Sequence, residues 1–135
     1  MISLSRALLT ISLIWLFLVP ADAHHSYDAE FDRRKPIEFE GTVRRFEWKN
    51  PHAYLYVDVV SDSGEVVTWM LQLGGPPALS GRLGWTRSTL AAGDEVIVDG
   101  YEARQGENSG VARLVTTASG ETLQATLGLQ RRPRR

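Results

Sequence analysis

From Ile37 onward the chain switches between apolar and polar residues at every second position, and that rhythm restricts it to a small β-rich fold. Ile37, Phe39, Gly41 and Val43 alternate with Glu38, Glu40, Thr42 and Arg44, the period of a strand that buries one face. The apolar phase then slips, because Phe46 and Trp48 fall on the other parity. A bulge near Arg44–Arg45 accounts for the slip, and Gly41 lets the strand bend. Asn50-Pro51 ends the run as a turn signal.

Four more runs follow. Ala53–Ser61 places Leu55, Val57 and Val59 on one face and Tyr54, Tyr56 and Asp58 on the other, and Asp62-Ser63-Gly64 turns it into a hairpin. Glu65–Leu73 carries Val67, Trp69, Leu71 and Leu73 on one parity until Gly74-Gly75-Pro76-Pro77 stops it. Pro77–Leu83 reads as one or two helical turns, with proline near the start and Gly84 just past the end. Glu95–Ala103 is the fourth strand, Gln105–Gly110 a glycine-rich loop, Val111–Thr117 the fifth strand, and Glu121–Leu127 a short edge piece after Ser119-Gly120. The order β-β-β-helix-β-β with a long bent first strand is that of the OB-fold, a five-stranded Greek-key barrel with a short helix between strands three and four. The fold class expected is therefore mainly all-β, an OB-like barrel over residues 37–127.

The other end of the sequence reads as an address. A single positive charge at Arg6 precedes the apolar run Ala7–Pro20, and Ala21-Asp22-Ala23 has the small–x–small form of a cleavage site. Together these make a secretory signal over residues 1–23. The run is shorter than the roughly 20 residues a spanning helix needs, so no stable membrane anchor is expected after cleavage, and the expected location is the periplasm or outside the cell. Removing 23 of 135 residues leaves 112, enough for one domain with its own core. There is no cysteine, so neither a disulfide nor a lipid-modified cysteine is available. Residues 24–36 are polar, charged and without period, and read as an extended arm. Residues 128–135 end in Arg131-Arg132-Pro133-Arg134-Arg135, a basic disordered tail. With a net charge of −1 the chain lacks the basic footprint of a nucleic-acid binder.

The sharpest chemical feature is the placement of three histidines. His24 and His25 become the first residues after cleavage, and His52 lies in Asn50-Pro51-His52, the loop joining the first two strands. A free N-terminal histidine chelates a metal through its α-amine, whose pKa is about 8, and its Nδ1. A third nitrogen from His52 or His25 completes a T-shaped set. Copper(II) favours such tetragonal nitrogen sites and stands high in the divalent affinity order. The ligand type is that of the histidine brace of copper-dependent polysaccharide monooxygenases. Zinc is a lesser expectation, with Asp28, Glu30 or Asp32 adding oxygen ligands. Trp48, Tyr54 and Tyr56, with Asn50, form a second candidate surface near the same loop, on which an envelope protein or a glycan would stack. No Ser-His-Asp set, phosphate loop or spaced carboxylate pair is present. An enzyme reading survives only through copper redox chemistry, and the chain reads more readily as a binding module than as an enzyme.

His24-His25-Ser26 with Glu30-Phe31-Asp32, then Gly41-Thr42-Val43 and Trp48-Lys49-Asn50-Pro51-His52, then Gly84-Trp85-Thr86, and finally Leu90-Ala91-Ala92-Gly93-Asp94 with Val96, Val98 and Gly100 together resemble small exported bacterial proteins grouped as domain of unknown function 6152. The resemblance covers roughly residues 24–123 and leaves the basic end outside it. It implies a periplasmic or secreted β-barrel module and no particular activity, and it places the His-His-Ser and Asn-Pro-His segments among the recognisable features of the family. The copper reading comes from ligand chemistry alone.

Overall fold

The computed structural model describes residues 24–129, with side chains from Tyr27 onward. A seven-residue helix α1 (His24–Glu30) leads into β1 (Phe31–Glu47), β2 (Tyr54–Val60) and β3 (Val66–Gln72), then helix α2 (Pro76–Arg82), β4 (Glu95–Ala103), β5 (Ser109–Thr117) and a short β6 (Thr122–Gln124). The antiparallel order β3-β2-β1-β4-β5-β6 is joined by a parallel pairing of β3 with β5. The sheet thus runs back on itself as a ring, with α2 between the third and fourth strands, and the expected mainly-β, OB-like architecture holds.

The long first strand makes this ring possible by serving two partners. Its residues Pro36–Thr42 pair with β4, and Thr42–Glu47 pair with β2. The register shifts between Val43 and Arg45, which is the bulge expected from the phase slip, and it carries the apolar stripe from one face to the other. At Gly41 a Cβ would stand 2.5 Å from the Asp58 carbonyl oxygen, so the crossing strands need a bare backbone at the bend.

Inside the ring, Val43, Leu55, Val57, Leu71, Leu73, Val96, Val98 and Val115 are almost fully buried. The alternation explains the selection: in β2, Leu55 and Val57 point in while Tyr54 and Tyr56 lie half-buried on the other face. One end is plugged by α2, which buries Leu79, and by Trp85, whose indole N–H donates to the Gln124 carbonyl at 2.8 Å. Proline at the first turn of α2 loses no bond there, since those N–H groups have no helical partner. A second apolar cluster of Phe31, Tyr101, Val111 and Leu129 lies apart, with Tyr27 against it. Among the described residues no helix is long and apolar enough to cross a membrane.

The N-terminal segment differs from expectation. Residues 24–36 form a helix and the first part of β1 rather than an extended arm. The cause is non-local. Phe31 buries itself and draws Tyr27 to a ring-centroid distance of 6.1 Å, while the Arg104 N–H donates to the Glu30 carbonyl at 2.8 Å and Arg104 Nε to the Asp28 carbonyl at 3.0 Å. The charged run after it is paired off: Asp32 accepts from Arg34 Nε at 3.0 Å, and Lys35 lies 3.4 Å from Glu102. The packed unit also reaches past residue 127, because Leu129 is buried in the second cluster. The leader expected at 1–23, and the basic tail expected at 128–135 from residue 130 on, lie outside the described residues.

Candidate functional site

The loop between β1 and β2 is held by the chain that follows β3. The Ala53 N–H donates to the Gly74 carbonyl at 3.1 Å, and the Leu73 N–H donates to the Ala53 carbonyl at 2.9 Å. The Asn50–Pro51 peptide bond is cis. Gly75 packs against it so closely that a Cβ there would meet the Pro51 oxygen at 2.5 Å. The run Gly74-Gly75-Pro76-Pro77 therefore does more than stop a strand: its bare backbone seats the Asn-Pro-His loop.

His52, next in the loop, is half-buried. Its Nδ1 is shielded from solvent and has no hydrogen-bond partner among the described residues. Leaving such a nitrogen unpaired costs about 1–3 kcal/mol, so it marks a place where a ligand or cation would be gained. The neighbour on this side is Tyr27 of α1, edge-on at a centroid distance of 6.5 Å. Burial, and then the charge of Glu30, push the Tyr27 phenol above its ordinary pKa, so at neutral pH it stays an uncharged donor. The arginine bonds from Arg104 hold α1 in this position. Position 24 lies three residues from Tyr27, one step along the same helix face. His24 and His25 occupy the first turn of α1, and their side chains lie outside the described set.

Two of the three carboxylates considered for zinc, Asp28 and Asp32, are paired with arginines. Asp28 accepts from Arg33 Nε at 2.6 Å. Asp32 is 7 % exposed and engages Arg34 through both oxygens, at 3.0 and 3.1 Å. Hydrogen bonds from the Arg34 side chain and backbone hold its carboxyl at about 2, well under the ordinary 3.8. Among the described residues no group of three or more His, Asp or Glu side chains converges to hold a metal ion.

The aromatic residues near the loop have neighbours of their own. Trp48 is half-buried and stands edge-on to Phe46 at 5.9 Å, which in turn touches Trp85 at 5.7 Å. Arg45 lies over the Tyr56 ring at 3.7 Å, and Lys49 over the Tyr54 ring at 5.0 Å. The same two cations flank Glu47, Lys49 at 2.8 Å and Arg45 at 3.0 Å, and Lys49 first and then Arg45 draw the Glu47 carboxyl below its ordinary pKa. Asn50 is exposed at the loop tip. Trp48, Tyr54 and Tyr56 are thus half-buried, with a cation over each of the two tyrosine rings. Sequence reasoning passed over Tyr27 and Gln72. The Tyr27–Phe31 spacing of four was the available signal for the first, and Gln72 had none.

Residues 14–113 match the Family of unknown function (DUF6152), and the chain belongs to that family. No curated protein and no solved structure is found to match it significantly.

Proposed function

We propose that this member of the family is an exported metal-binding module, in which the α-amine and imidazole of His24 and the Nδ1 of His52 take up copper. The observation that carries the reading is the enclosed, unpartnered Nδ1 of His52 beside the helix that begins at His24. A three-residue helical step is about 4.5 Å, and that short distance along α1 from Tyr27 to position 24 is the ground for joining the chain start to the His52 loop. His52 adds the third nitrogen that a tetragonal copper site favours, and His25 is the reserve donor. The seating of the loop on Gly75 keeps His52 in place without metal, which lowers the ordering cost of binding. Export through residues 1–23 belongs to the reading, because only cleavage after Ala23 frees the required amine. Copper titration of protein starting at His24 tests it. His52→Ala should weaken binding at least about tenfold, the loss of one ligand interaction of roughly 1.4 kcal/mol. Unchanged affinity in that variant overturns the reading.

A further inference from the structure

A cavity of about 400 Å³ opens where β3 and β5 meet, walled on one side by the end of α1. Its lining includes Phe31, Tyr54, Met70, Gln72, Arg104 and Ser109. It does not include His52, so it is separate from the proposed metal site.

Gln72 sets its chemistry. This side chain is 8 % exposed, lines the cavity, and has no hydrogen-bond partner among the described residues. Its amide faces the cavity, where it offers a donor pair and an acceptor together. Beside it Ser109, also 8 % exposed, donates only a long 3.4 Å bond to the Gln105 carbonyl, so its hydroxyl is available for a better partner. Gln72 and Ser109 stand near each other because β3 and β5 run parallel there, Met70 opposite Ser109 and Gln72 opposite Val111.

The surroundings select among ligand classes. An anion is disfavoured, because the Arg104 guanidinium is shared with the Asp28 carbonyl at 3.0 Å and with Asp32 at 3.8 Å, and the Glu30 carboxylate lines the same cavity. An extended peptide added to a sheet needs an open strand edge, and here the edges of β3 and β5 are paired to each other. What remains is an amide and hydroxyl floor beside an apolar and aromatic wall of Phe31, Tyr54 and Met70, with one carboxylate, Glu30, and one cation, Arg104, also in the lining. We infer that the cavity binds a neutral polyhydroxylated ligand, a saccharide unit, with its hydroxyl groups on Gln72 and Ser109 and its C–H face on that wall. The volume falls in the range of small-molecule sites.

The test uses isotope-labelled protein in EDTA, so that metal plays no part, titrated with chitotriose, cellotriose and maltotriose. At least one should give a saturable shift of the Gln72 side-chain amide signals and of the Ser109 and Gly110 backbone amides. Gln72→Met and Ser109→Ala should each weaken that binding about tenfold, the loss of one net hydrogen bond. The proposal is overturned if none of the three sugars moves the Gln72 signals at ~10 mM, a level that would reveal even millimolar affinity. It is equally overturned if the shifts persist unchanged in both variants. Should Gln72→Met fail to fold, Ser109→Ala decides the matter alone.

Discussion

Placing one methyl group at Gly75 should damage the molecule, while the same change at Gly81 should not. At position 75 the new Cβ would lie 2.5 Å from the Pro51 oxygen, where ordinary contact begins at 3.4 Å. About 0.9 Å must be found, and the obstacle is backbone on both sides. Neither side yields easily. The Gly74 N–H is bonded to the Ala125 carbonyl at 2.8 Å and the Gly74 carbonyl accepts from Ala53. Overpacking of this kind costs about 1–3 kcal/mol. At about 4–8 °C per kcal/mol for a domain near this size, Gly75→Ala should lower Tm by at least about 4 °C. Gly81 lies within α2, and a Cβ there would meet nothing within 4 Å. Gly81→Ala should therefore leave stability unchanged or raise it by about 0.5–1 kcal/mol. Thermal and urea unfolding of both variants measures the pair. Equal stabilities for the two would refute the claim that the bare backbone at 75 seats the Asn-Pro-His loop.

Three further outcomes follow from the packing and the charges. Leu55→Ala, at a position with no solvent exposure, should cost about 2–5 kcal/mol in urea unfolding, and a loss under 1 kcal/mol would show that the ring interior is not the core. Thr126→Val keeps the volume but removes the hydroxyl that donates to the Ala112 carbonyl at 2.9 Å. It should cost about 1 kcal/mol, and a gain in stability would contradict the bond. The Asp32 carboxyl titrates at about 2 in the folded chain against 3.8 ordinarily, so the stabilisation it gives is present above about pH 4 and fades as pH falls towards 2. Asp32→Asn should be less stable than the wild type at pH 7, and the gap should close by about pH 2; a gap that does not narrow would refute the pairing.

The strands were legible because each has a two-residue period and clear punctuation: Asn50-Pro51, Asp62-Ser63-Gly64 and the Gly-Gly-Pro-Pro run all fall between elements. Even the bulge near Arg44 showed, since a shifted apolar phase is a local signal. Helix α1 did not show, because seven residues form a helix only with tertiary help. That help comes from Phe31, Arg104 and His52, all of them beyond the helix itself. The three histidines were visible as residue types. The nearness of the Tyr27 end of the chain to His52 depended on the same unseen packing. The cavity was wholly hidden, since Gln72 and Ser109 come together only through the parallel closure of β3 on β5.

The central claim, that the chain start and the His52 loop share one copper ion, is tested most directly by the ring nitrogen signals of His52. Copper(I) is diamagnetic and leaves the long-range proton–nitrogen spectrum sharp. In protein beginning at His24, one equivalent should move the His52 Nδ1 resonance to a metal-bound position, and acetylation of the α-amine should abolish that movement. A His52 Nδ1 signal that copper leaves in place, with the amine free, would contradict the account.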